Sequence, residues 1–118
     1  MRVIIADDQA NVRFALKTLL RGQSGIDVVA EATDVTTLMS AIQEIHPDLV
    51  LLDWSLPGVP AAEQISRMRG LCPELAVIVI SGHLEARGAA REAGADRFIS
   101  KADPPADLLA AIRSVVRG

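Results

Sequence analysis

Short apolar runs alternate with amphipathic stretches along the whole chain, with no low-complexity segment and no internal linker. Val3-Ile4-Ile5-Ala6 is continuous and apolar and stops at Asp7-Asp8, which predicts a buried strand. Residues 10–21 place Val12, Leu16, Leu19 and Leu20 on one helical stripe, and Gly22 ends it. Ile26, Val28 and Ala30 alternate with Asp27 and Glu31, the pattern of a half-buried edge strand. Leu38, Ile42 and Ile45 mark a second helix, closed by Pro47. Leu49 to Leu52 predict a third strand ending at Asp53, and residues 61–71 a third helix through Ile65 and Met68. Leu75 to Ile80 is the longest apolar run and predicts a central strand ending at Ser81. Residues 84–93 are weakly helical, and Arg97 to Ser100 predict a fifth strand. Asp103 is placed to cap a last helix with Pro104 at its first position and Leu108, Leu109, Ile112, Val115 and Val116 as its apolar set.

Five strand–helix units of this kind predict an α/β domain: a parallel sheet covered on both faces. Right-handed crossovers reduce the choices to a doubly wound sheet, and five strands fit the flavodoxin-like (βα)5 order 2-1-3-4-5. The half-polar second strand suits an edge of that order. Ligands of such sheets bind beyond the C-terminal strand ends, at the switch point between strands 1 and 3.

Composition narrows the class. The 118 residues fit one domain, 1–118, with Arg117-Gly118 where a linker would begin. Half of them are hydrophobic and 23% charged, as in a globular chain. A net charge of −3 argues against direct nucleic-acid binding by this segment. The single Cys72 excludes an internal disulfide framework and a CxxC metal site. No apolar run reaches the roughly 18 residues of a membrane span. The start MRVIIADD turns acidic too early for a signal peptide, so a cytoplasmic domain is expected.

The predicted topology gathers chemistry at one sheet end: Asp7-Asp8 after strand 1, Asp53 after strand 3, Ser81 after strand 4 and Ser100-Lys101 after strand 5. Crowded carboxylates repel, and a divalent cation removes the conflict. Few hard oxygen ligands with room for water and phosphate suit Mg²⁺, or Mn²⁺. Neither GxxxxGK[ST] nor GxGxxG occurs, so phosphate would rest on metal, Lys101, Ser81 and loop amides. Asp53 is then a carboxylate nucleophile for a phosphoryl group.

Asp7-Asp8, Asp53 with Pro57 four residues on, Ser81 and Phe98-x-x-Lys101 resemble the receiver domain of two-component response regulators, over essentially the whole chain. VVAEATD, PDLVLLD and Ala102 after Lys101 look most like the NarL/FixJ class. The resemblance implies that Asp53 is the phosphoacceptor for a phosphohistidine on a sensor histidine kinase. It implies Mg²⁺ on Asp8 and Asp53, on Asp7 through water, and on the Ser55 backbone carbonyl. Ser81 and Lys101 would bind the phosphoryl oxygens, and Phe98 would turn inward as Ser81 moves. Mg-dependent autophosphorylation and slow autodephosphorylation would be its only catalysis. The class normally adds a C-terminal helix-turn-helix DNA-binding domain, through which DNA would be reached. A pseudo-receiver is disfavoured by the intact acidic set. A haloacid-dehalogenase-type phosphatase would want DxD where this chain has DDQ.

Other residues carry open readings. His83, near the site mouth, is either a modulator of attacking water or a surface residue. His46, before Pro47, is expected in solvent, and nothing activates Cys72. Phe14 lies off the apolar stripe of the first helix, as a kinase-docking aromatic or as a contact of the last helix. The apolar arc of the last helix either covers the sheet or leaves a strip for a homodimer or an output domain. Trp54, Ala61 and Val35 depart from the receiver pattern and bear on loop and helix-start geometry. Gly88 and the scarcity of large anchors predict that 81–94 is the mobile segment.

Overall fold

A computed structural model describes residues 1–115; Val116 and the Arg117-Gly118 boundary lie outside the described residues. The chain runs β1 (Arg2–Ala6), α1 (Ala10–Arg21), β2 (Asp27–Ala32), α2 (Val35–Ile45), β3 (Leu49–Asp53), α3 (Ala61–Leu71), β4 (Ala76–Ser81), α4 (Ala86–Glu92), β5 (Arg97–Ser100) and α5 (Pro105–Val115). All neighbouring strands are parallel, in the order β2-β1-β3-β4-β5. The flavodoxin-like arrangement expected from the apolar runs is therefore the one formed. No helix among the described residues is long and apolar enough to cross a membrane.

The strand period of two builds two cores. Ile4, Val50, Leu52, Val77 and Val79 pack with Leu38, Ile42, Ile65 and Met68 from α2 and α3. Val3, Ile5, Leu49, Leu51 and Ile78 face the other way, onto Leu20 of α1 and Leu108 and Ile112 of α5. β3 is buried at all five positions and holds the middle of the sheet, with β4 one place out between β3 and β5. β2 alternates exposed and half-buried residues, as an edge strand should. Its pairing shifts where Val3 meets Val28 and Ile4 meets Ala30. Val29 is the extra residue of this bulge and is exposed.

Two helix boundaries differ from those predicted. α5 starts at Pro105, not Pro104. A residue before proline is driven out of the helical region, so Pro104 cannot be the first turn of a helix continuing through Pro105. Asp103 does not cap the helix: its Oδ2 accepts a 2.9 Å hydrogen bond from the Ser100 amide, closing the β5–α5 turn. α4 is shorter than the 84–93 stretch, with only Ala86 and Ala90 buried. Leu84 is left 60% exposed and precedes the helix. A seven-residue helix held by two alanine methyls has little apolar area to anchor it. Amide hydrogen exchange is therefore expected to be faster across 81–94 than in β4; equal protection of the two would contradict this reading.

The departures at Val35 and Ala61 leave both helix starts in place. Asp34 caps α2, its Oδ1 accepting from the Thr37 amide at 2.8 Å. The Val35 amide donates to the Pro57 carbonyl at 3.0 Å. Val35 presses on Gly58 so closely that a Cβ there would sit 2.1 Å from its Cγ1. Glycine at 58, with φ of +125°, is what accommodates valine at 35.

Candidate functional site

The C-terminal ends of β1 and β3 are neighbours, so Asp7 and Asp53 meet by topology. Asp7 and Asp53 are buried and Asp8 is exposed, and carboxylate oxygens of all three lie within 4.8 Å of one another. Asp7 is fixed on three sides. Its amide donates to the Ala32 carbonyl at 3.0 Å. Its Oδ1 accepts from the Gln9 amide at 2.8 Å. Its carbonyl accepts from Arg13 Nη1 at 2.8 Å. Arg13 and Lys17 of α1 in turn pair with Glu31 on β2, at 3.0 and 2.9 Å. The Lys17 hydrogen bond, against some desolvation, holds the Glu31 carboxyl below its ordinary range. Arg13 thus ties the acidic turn to the sheet edge, a role absent from the sequence reading.

Asp53 Oδ1 accepts from the Ser55 amide at 3.1 Å. Burial pushes the Asp53 carboxyl above its ordinary range; the Ser55 amide opposes this, Asp7 and Asp8 add to it, and Lys101 opposes it. Lys101 Nζ stands 3.4 Å from Asp7 Oδ2 and 3.8 Å from Asp53 Oδ1. One ammonium thus faces three carboxylates. That deficit of positive charge, with hard oxygen donors open to solvent through Asp8, fits a divalent cation such as Mg²⁺.

Ser81 ends β4 and is buried. Its Oγ accepts from the His83 amide at 3.0 Å, and its carbonyl accepts from the Lys101 amide at 2.8 Å. The His83 ring is exposed, 3.3 Å from Glu85. Phe98 is half-buried against the α2–α3 core, with the Arg87 guanidinium 5.0 Å from its ring centre. Trp54 packs its side chain against the same core. Phe14 is 66% exposed and is not among the hydrophobic residues packed on the core beneath α1 and α5. His46 is exposed at the left-handed end of α2, 3.8 Å from the Cys72 sulfur.

Gln64 was also missed from the sequence. It is fully buried on α3, and its Nε2 donates to the carbonyls of Leu56 at 3.0 Å and Val59 at 2.7 Å. It falls with Ala61, Ile65 and Met68 on the stripe that faces the sheet, and a polar residue on that stripe was the available signal.

Two hollows flank this geometry. A cavity of about 870 Å³ opens at the opposite sheet end, around His46, Asp48, Arg69 and Asp96, away from the carboxylates. An apolar groove of about 320 Å³ runs between α1 and α5, lined by Val12, Leu16, Leu19, Ile99 and Leu108, with Lys101 at one end.

Residues 3–113 match the response regulator receiver domain family, and the chain belongs to it. It is therefore a phosphorylation-activated signalling switch of the two-component type, from a family that binds Mg²⁺. It is similar to transcriptional activator protein ExaE of Pseudomonas putida, 37% identical over 122 residues, covering 100% of this chain and 56% of that protein. The chain spans about half the length of the curated relatives it matches. A two-component response regulator of the LuxR family from Aurantimonas sp. SI85-9A1 superposes with a TM-score of 0.89 at 31% identity, over 97% of this chain and 83% of that one. RcsB of Salmonella enterica serovar Typhimurium, bound to promoter rprA with a phosphomimetic, gives 0.89 at 26% identity over 98% of both chains. The LuxR-family neighbour agrees with the NarL/FixJ-like pattern.

Proposed function

We propose that Asp53 is the phosphoacceptor, taking the phosphoryl group from a phosphohistidine of a sensor histidine kinase. The observation that carries this is the meeting of Asp7, Asp8 and Asp53 oxygens within 4.8 Å, with Lys101 3.8 Å from Asp53 Oδ1. An Asp53 oxygen attacks phosphorus, the O–P bond forms and the P–N bond breaks, and its electron pair returns to the imidazole. Asp7, Asp8, Asp53 and the Ser55 carbonyl would hold Mg²⁺ (or Mn²⁺), which when bound supplies positive charge against the phosphoryl oxygens. Lys101 sits where it can share that task. Acetyl phosphate, a phosphoryl donor needing no kinase, suits the same site: the Asp53 O–P bond forms as the P–O bond to acetate breaks and acetate leaves, and slow transfer to water resets the site.

The new group adds roughly two negative charges and three acceptors. Ser81 then exchanges the His83 amide for a phosphoryl oxygen, and its movement pulls the weakly anchored 81–94 segment. Phe98 turns into the space Ser81 leaves, and Arg87 must release its ring. His83 faces Glu85 and solvent, which favours a surface role over one at the attacking water. The output is transcriptional, through a C-terminal DNA-binding domain; relatives named as transcriptional activators and regulators, and a neighbour bound to promoter DNA, support this. The α1–α5 groove offers apolar area for an output domain or a second copy.

The kinase docks on α1, where Phe14 stands exposed. Phe14→Ala is expected to slow kinase-dependent transfer roughly 10-fold, the weight of one aromatic hot spot. Acetyl phosphate labelling should stay at the wild-type rate; equal slowing of both defeats the docking role.

The overall reading is tested by acetyl phosphate with and without Mg²⁺, followed by intact mass and by emission of Trp54, the single tryptophan, beside Asp53. One phosphoryl group per chain, only with Mg²⁺, is expected. No adduct points to a pseudo-receiver, and rapid release of free phosphate over many turnovers points to a phosphatase.

A further inference from the structure

Gln64 is an expensive residue to bury. Its side chain is fully enclosed, and its Oε1 has no hydrogen-bond partner among the described residues. An orphaned buried acceptor carries the full desolvation cost of that group. An apolar side chain on the stripe shared with Ala61, Ile65 and Met68 would avoid that cost. What the amide supplies is its two donors, both on Nε2, and both reach the loop between β3 and α3. Their acceptors, the Leu56 and Val59 carbonyls, bracket Pro57-Gly58. The same loop begins at Asp53, whose Oδ1 holds the Ser55 amide and whose carbonyl holds the Leu56 amide at 3.1 Å. Leu56 is thus bonded on one side to Asp53 and on the other to Gln64. On the far side of the loop, the Pro57 carbonyl is held by the Val35 amide.

We infer that Gln64 is a positioning residue for the cation site, fixing the 54–59 loop so that the Ser55 carbonyl and the Asp53 carboxylate are presented together. The inference rests on the phosphoacceptor reading above. Gln64 touches neither cation nor phosphoryl group; it acts through Leu56 and Val59. Without its donors the loop keeps the Asp53 and Val35 ties but loses its tether to α3. Partners one step behind metal ligands set affinity by orienting them.

Gln64→Met tests this, because methionine keeps the unbranched length, suits a buried stripe, and removes both the donors and the orphaned oxygen. Gln64→Leu is run beside it, so that a packing defect in one variant does not decide the result. Mg²⁺ is titrated into the full chain and followed by Trp54 emission, with urea unfolding in Mg²⁺-free buffer as the stability control. The Mg²⁺ dissociation constant is expected to rise on the order of 10-fold in both variants. The urea midpoint is expected to fall modestly, since the Leu56 and Val59 carbonyls lose their Gln64 donor while one orphaned acceptor is removed. Mg²⁺ affinity within twofold of wild type, whether or not stability falls, overturns the inference. A wild-type chain that shows neither a Mg²⁺ response nor acetyl phosphate labelling instead overturns the phosphoacceptor reading, and this inference with it.

Discussion

Asp53→Asn is expected to lose acetyl phosphate labelling by on the order of 10⁴-fold or more, because the carboxamide keeps the shape and removes the nucleophile. A second consequence separates this from unfolding. Asp53 is charged against a desolvation cost and against Asp7 and Asp8, and these outweigh the help from the Ser55 amide and Lys101. The neutral side chain relieves them, while its oxygen still accepts from Ser55. Intact-mass labelling should therefore vanish while the urea midpoint in Mg²⁺-free buffer rises above wild type. Labelling of Asp53→Asn at the wild-type rate would place the acceptor elsewhere. A fall in the midpoint would mean that the carboxylate stabilises the metal-free fold.

The largest effect on stability is expected at Gly58. An alanine there must adopt φ near +125° and place its Cβ 2.1 Å from Val35 Cγ1 and 2.9 Å from Val35 Cβ. Strain of about 1–3 kcal/mol and overpacking of about 1–3 kcal/mol together come to about 2–6 kcal/mol. That is a large share of the roughly 5–15 kcal/mol available to a domain. Val35→Ala should recover part of the loss in the double variant, since it deletes the Cγ1 in the clash but leaves the backbone strain. Urea midpoints of the four proteins in that cycle measure this. Independent, additive effects at 58 and 35 would show that the clash is not what makes glycine necessary.

Much of this was legible because parallel strands write themselves as unbroken apolar runs. Val3 to Ala6 and Leu49 to Leu52 are such runs, and each ends on the carboxylate the site needs. Once the order 2-1-3-4-5 follows from the alternation, Asp7 and Asp53 must be neighbours, and Lys101 must stand at the same sheet end. The edge position of β2 was written in its Asp27 and Glu31. What escaped depends on contacts between distant segments or on local backbone geometry. The Pro104-Pro105 step moves the start of α5 by one residue and redirects Asp103 to Ser100. The bulge at Val29 shows in the sequence only as one apolar residue at a polar position of the alternation. The fit of Gly58 to Val35 joins segments 23 residues apart and has no periodic signature. Gln64 was visible as a polar residue on a buried stripe, but its partners lie in a loop whose path no spacing rule gives. The engagement of Ser81 Oγ with the His83 amide is likewise a turn detail.

The most direct measurement locates the adduct. Wild-type protein treated with acetyl phosphate and Mg²⁺ is reduced with borohydride, which converts an aspartyl phosphate to homoserine, and its peptides are mapped by tandem mass spectrometry. Homoserine at position 53 alone, dependent on Mg²⁺, is the result expected from a carboxylate nucleophile held between Asp7, Asp8 and Lys101. Homoserine at another acid, or an unmodified position 53 in protein that carries the phosphoryl mass, would contradict it.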